Sequence, residues 1–271
     1  MPATPEAAAL TDAHRRRLIL LRDTTAAVVV RMLDQVDLDG DVDGQIDRWL
    51  ASSTSLVGSA QADAAGVSAR YVAAYVAASG LEPRRLSVDV ARFRGMPVFG
   101  RRLEMALASA PAAMLWRLGR SDGRTQALAA GLSEATRVCR SAVMAAGRAG
   151  QSEAMVQDGR VSGWRRVTST DPCGGCMGAA DGRVLRTEAG MEIHDACRCT
   201  AEAVLDGVDD GRFRRPTGQE MFDRLDSDGQ GRLFAGRGGA EKAEVVRREG
   251  VGVLVDRRAG RLTEAPLAEV A

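Results

Sequence analysis

Five cysteines and two histidines are spread unevenly along the 271 residues. Cys173-Gly174-Gly175-Cys176 is followed, after seventeen residues, by His194-Asp195-Ala196-Cys197-Arg198-Cys199, and the rest of the chain holds only Cys139 and His14. Two thiolates in a C-x-x-C turn and a returning H-x-x-C supply the tetrahedral nitrogen-and-sulfur set that Zn2+ prefers. The candidate ligands are Cys173, Cys176, His194 and one of Cys197 and Cys199. The last two are two positions apart and would share a face on a strand, so spacing alone does not choose between them. Four protein ligands leave no open position for a catalytic water, and the expected zinc is therefore structural. Gly174, Gly175 and Gly178 suit a sharp knuckle with close backbone approach and positive φ.

Three other chemistries compete for these residues. A disulfide framework suits a small secreted chain, but the cysteine count is odd and this length can bury a core without staples. The stretch Met1 to Ala9 has neither a basic start nor an apolar run, so no signal peptide is expected. A thioredoxin-type C-x-x-C would sit in a βαβ pattern, which is missing around Cys173. A Cys–His nucleophile would need a pocket and an orienting Asn or Asp.

Bulk composition narrows the classes further. The net charge is +1, from 37 basic and 36 acidic residues, so no global polyelectrolyte signal for nucleic acid or membrane exists. Lys242 is the single lysine, and the wealth of arginine beside Ala, Gly and Val reads as the signature of a GC-rich genome. No apolar run approaches the ~20 residues of a membrane span. Aromatic residues make up 4%, which leaves Ala, Val and Leu to build the core. A soluble chain with reduced cysteines is the expectation.

The elements that must position the cysteines fall into an α+β, mainly α, arrangement. Residues 1–150 read as an elongated helical body, 151–206 as a small zinc-stapled β module, and 207–271 as a linker with a short α/β tail. Leu18, Leu21, Ala26, Val29, Met32 and Leu33 mark one face of a first helix over 11–34. A second helix starts at Asp43, a third spans 69–79 with Ser68 as cap and Gly80 at its C′ position, and 82–100 connects. Helices are expected over 101–118 and 121–149, and strands over 161–170, 182–187 and 198–205. Thr217 to Glu220 has capping-box spacing, 240–249 reads as a helix and 251–255 as a strand. Asp39, Asp41, Asp43 and Gly44 imitate the start of an EF-hand loop, but Leu50 stands where its bidentate Glu belongs, so these aspartates are expected to solvate a turn and cap a helix.

A helical first half, then Trp164-Arg165-Arg166-Val167, then C-x-x-C and H-x-x-C-R-C-T, resembles the minor head proteins of tailed bacteriophages. This is the Mu F-like or head-morphogenesis family, in its actinobacteriophage form. The likeness runs from Ser68-Ala-Arg-Tyr71 through Asp158 to Val167 and on to Leu205, and the 239–250 tail is similar to the family's C-terminal helix. Family members often carry Pro after the histidine and Asn before the cysteine, where this chain has Asp195 and Ala196. The resemblance implies a structural virion component without catalysis. It would be present in few copies, sit inside the head or at the portal vertex, be assembled in the host cytoplasm, and contact the portal or major capsid protein during head assembly, DNA packaging or ejection. Neither a membrane nor a small-molecule substrate is expected.

Two other classes remain as expectations. A capsid maturation protease would need a nucleophile and base, yet His14 is remote from every motif and His194 is committed to metal. A zinc-containing DNA-binding protein would use Arg160, Arg165, Arg166, Arg198, Arg212, Arg214 and Arg215 against packaged DNA, if they share a face. Against it, neighbouring Asp and Glu can neutralise those arginines, and the finger spacing is unfamiliar.

Overall fold

The computed structural model describes residues 4–120, 122–169, 172, 174–191, 197–208, 215–234 and 239–254. Among these residues the fold is mainly helical, with one small two-stranded sheet. In order come α1 (Pro5–Asp34), α2 (Val42–Ala78), a 3-10 turn (Val90–Phe93), α3 (Leu103–Leu107), α4 (Ser109–Gly119), α5 (Arg124–Asp158) and β1 (Val161–Val167). These are followed by α6 (Gly174–Ala179), β2 (Thr200–Leu205), α7 (Gly218–Asp223), α8 (Ser227–Arg232), α9 (Gly239–Glu249) and a second 3-10 turn (Val251–Leu254). Two compact units result, one of Met1–Arg15, Val72–Arg85 and Met155–Ala271, the other of Arg16–Tyr71 and Leu86–Ala154.

In the second of these units the core is built from small and branched side chains. Leu18, Val29, Leu33, Val57, Leu107, Val138 and Val143 pack with Ala60, Ala64, Ala110, Ala135 and Ala142, and Trp49 closes one end by donating its indole N–H to the Val29 carbonyl at 3.0 Å. Alanine at these positions lets helix backbones approach closely. At Gly150 of α5 the approach is so tight that a Cβ would lie 2.6 Å from Cα of Ala65 on α2. Asp41 caps α2 by accepting from the Gly44 amide at 3.0 Å, as the acidic turn predicts. The predicted second and third helices are one element, however. Ser68 lies inside α2 and donates to the Ala64 carbonyl at 2.8 Å instead of capping a new helix. The helix expected over 101–118 is broken at Ala108, because Pro111 has no N–H to give the Leu107 carbonyl and fits only in the first turn of a new helix. α5 runs on past 149 to Asp158.

In the other unit, α2 ends as expected at Gly80, whose φ is 83°. Gly80 N–H bonds the Ala77 carbonyl and Leu81 N–H the Val76 carbonyl, the paired bonds of a Schellman stop. β1 and β2 form a two-stranded antiparallel sheet that sets Arg165 opposite Glu202 and Val167 opposite Thr200, with a bulge between Val161 and Gly163. The strand expected over 182–187 is reduced to a single bridge, Leu185 to Trp164, with backbone bonds of 2.7 and 2.8 Å. Gly163 permits it, since a Cβ there would sit 2.5 Å from the Leu185 carbonyl oxygen. Thr217 and Glu220 form the predicted capping box at the head of α7. Residues 251–254 are a 3-10 turn rather than a strand, with Val251 buried against Met177, Phe222, Phe234, Ala243 and Val246. Among the described residues this apolar stretch packs on helices and not on a sheet edge.

Candidate metal centre

Three sulfurs converge where α6 meets the approach to β2. Cys176 is carried by α6, and Cys197 and Cys199 lie just before Thr200, the first residue of β2. Their Sγ atoms all lie within 4.8 Å of one another, and all three residues are at least 97% buried. Cys176 Sγ and Cys197 Sγ are 3.8 Å apart, and both belong to free thiols. A tetrahedral zinc with bonds of about 2.3 Å requires sulfurs about 3.8 Å apart, so the donor set fits that ion in chemistry and in spacing. Cys197 and Cys199, alternatives by spacing, both join the cluster. Cys173 and His194 lie outside the described residues.

The local structure differs from the expected knuckle in one respect. Gly174, Gly175 and Gly178 are buried in helix α6, and the glycines of positive φ are elsewhere, at Gly182 and Gly207 among others. A helix presents Cys176, and its buried glycines adopt ordinary helical backbone angles. Gly218 meets the same helix from the other side. Its N–H bonds the Ala180 carbonyl at 2.7 Å, and a Cβ there would collide with the Met177 carbonyl.

Electrostatics around the sulfurs favour the neutral thiol. The largest single influence on Cys199, a hydrogen bond with Cys176, favours its thiolate, and Arg166 helps. A hydrogen bond with Cys197, burial and the Cys197 charge outweigh them and push the Cys199 thiol up to about 12. Such a group is a poor nucleophile at neutral pH, and a cation is what would convert it to a thiolate.

A buried charge network stands next to the cluster, three residues along β2 from Cys199. Glu202 accepts from Arg165 Nε at 3.1 Å and from Arg215 Nε at 2.8 Å, while Arg215 also reaches Asp12 at 3.2 Å and donates to the Ala8 carbonyl at 2.8 Å. The sequence singled out neither Glu202 nor Asp12; the one hint was the expectation that neighbouring Asp and Glu neutralise the arginines. Those arginines do not form one free cationic face. Arg160 is held by Asp158, while Arg165 and Arg215 are held by Glu202; Arg198 is exposed; Arg212 and Arg214 lie outside the described residues. At the false EF-hand, Asp39 is paired with the Arg124 guanidinium, whose hydrogen bond and charge hold the carboxyl below the usual range.

Among the described residues, Cys176, Cys197 and Cys199 are the one group of three or more side chains placed to share a metal ion. His14 is buried in α1 and is not part of it. No described helix is long and apolar enough to cross a membrane. Compared with protein-family models, with curated proteins and with solved structures, the chain has no significant match.

Proposed function

We propose that Cys176, Cys197 and Cys199 hold a structural zinc ion, with Cys173 or His194 completing the shell, and that the chain serves as a minor head protein of a tailed phage. The observation that carries the metal reading is the closure of the thiol cluster. Three buried sulfurs within 4.8 Å of one another are the soft donors that a structural zinc takes. A metal there ties α6 to β2 across a span of 21 residues, which is the work of a staple. The head-protein reading rests on the resemblance carried by Trp164 to Val167, the C-x-x-C and the H-x-x-C-R-C-T run. In that setting the chain contacts the portal or the major capsid protein, acts without catalysis, and uses the stapled module as a rigid docking piece.

Elemental mass spectrometry with thiol alkylation tests the metal. One zinc per chain is expected, lost in Cys176→Ser and Cys197→Ser, with Cys176, Cys197 and Cys199 protected until a chelator is added. A metal-free chain whose three thiols alkylate freely in the native state would sink the zinc reading. Quantitative mass spectrometry of purified particles of the phage that encodes the chain tests the second claim. A few copies per particle are expected, and particles that lack the chain would refute it.

A further inference from the structure

The unit of Arg16–Tyr71 and Leu86–Ala154 carries an open groove between α1 and α2. The cavity has a volume of about 480 Å3, and Leu20, Gly66, Val67 and Val90 line it. Leu20 is 68% exposed and Val90 38%, an uncommon outlay of branched aliphatic surface on a chain whose core is so rich in alanine. Gly66 leaves the floor of the groove without a side chain; a Cβ there would be in van der Waals contact with Val90 Cγ1 at 3.4 Å.

Charge is distributed along the groove in a definite order. Trp49 on α2 bonds Val29 on α1, whereas Leu18 and Ser68 both meet Gly147, so the two helices run antiparallel with residue 18 level with residue 68. Arg17 and Arg70 therefore close one end, and Thr24 and Asp63 the other. Seven residues of helix separate the ends, about 10 Å. Arg17, Arg70 and Asp63 make no ion pair or hydrogen bond with any described residue. Two cations at one end, an anion at the other and an apolar floor between them complement a dipolar, amphipathic surface.

We propose that this groove docks a short amphipathic helix of a partner protein, two to three turns long. Its aliphatic side chains lie against Leu20, Val67 and Val90, its carboxylates meet Arg17 and Arg70, and a basic residue meets Asp63. A helix is favoured because the groove is a trough of helix-turn length with no free strand edge to extend. Duplex DNA fits poorly, since Asp63 and the apolar floor would face phosphates. The groove belongs to the unit without the thiol cluster, so the proposal holds whether or not those thiols bind zinc.

Fluorescence anisotropy of the full chain with a labelled synthetic 14-residue helix tests this. The probe has leucines on one face of its middle turns, two glutamates on one side of them and an arginine about seven residues away on the other, the spacing of the groove's ends; a control peptide replaces the glutamates with arginine. Saturable binding is expected, with the glutamate peptide preferred by about tenfold, the size expected from two exposed ion pairs. In the double variant Arg17→Glu, Arg70→Glu the preference should invert, and Leu20→Ser should weaken both peptides; circular dichroism checks that these exposed substitutions leave the fold intact. Non-saturable binding, an unchanged preference in the double variant, or Arg17- and Arg70-dependent binding of duplex DNA that excludes the peptide would each overturn the proposal.

Discussion

Replacing Glu202 with alanine asks whether the sheet beside the thiols is held by its buried charges. Glu202 has no exposed side-chain surface, and the two guanidinium groups it serves keep side-chain exposures of 8% at Arg165 and 17% at Arg215. Burial by itself would lower the pKa of Arg215, but the carboxylates of Glu202 and Asp12 hold it raised, so the charged form is the one the fold accommodates. An alanine at 202 would leave Arg165 desolvated and without its cross-strand carboxylate. Removing one member of a buried pair costs about 3–5 kcal/mol, far more than the pair contributes over an apolar replacement. Arg215→Ala leaves the Arg165–Glu202 bond in place and should cost less, about 1–3 kcal/mol. Hydrogen exchange of the β1 and β2 amides reads this locally. At about 1.4 kcal/mol per decade, Glu202→Ala should cut protection by two to three and a half orders of magnitude. A loss smaller than tenfold would show that water or another group takes over from Glu202 and that the network does not hold the sheet.

Gly150→Ala should lower the melting temperature seen by circular dichroism. Alanine is the better helix former by about 1 kcal/mol, but its methyl would lie 2.6 Å from Ala65 Cα, and overpacking against backbone costs about 1–3 kcal/mol or more. Burial pushes the Cys139 thiol up to about 12, so it should resist iodoacetamide at pH 8 in the folded chain and react in urea, as intact-mass spectrometry would show. A hydrogen bond from Arg160 holds the Asp158 carboxyl below its ordinary value. A depressed folded pKa contributes stability above the unfolded value of about 3.9, and that contribution is lost as pH falls through the lower folded value. Asp158→Asn should therefore flatten the fall in urea midpoint below about pH 4.

Local rules read this sequence well where a few neighbouring residues decide the backbone. The stop at Gly80, the cap at Asp41 and the box from Thr217 to Glu220 each depend on hydrogen bonds that close within five residues. They fail where the deciding partner is remote. Ser68 has the chemistry of a cap, yet α2 passes straight through it because its flanks, Ala64, Ala65 and Val72, are buried on one continuous face. Val251 and Val253 have strand propensity, yet the surface that buries them is made of helices.

The thiol cluster shows both behaviours at once. Cys176, Cys197 and Cys199 were legible because metal-ligand chemistry uses rare residue types, and five cysteines in this chain leave little room for coincidence; Cys173 and His194 lie outside the described residues. The cluster's framing was not legible, because a glycine's freedom permits both a knuckle of positive φ and a tightly packed helix, and only the surroundings choose. Here they choose the helix. α6 is buried along Gly174 to Gly178, and α7 seats Gly218 against the Met177 carbonyl, so a side chain larger than hydrogen at Gly218 would push on the helix that carries Cys176. The same remoteness hides the charges that fix β2. Glu202 meets Arg165 across 37 residues, and Asp12 meets Arg215 across 203, separations at which no sequence pattern signals a partner. Glu202 lies on the strand that follows Cys199, and because coupling between two sites is reciprocal, Glu202→Ala should loosen the thiol cluster by as much free energy as losing a sulfur loosens the Glu202 network.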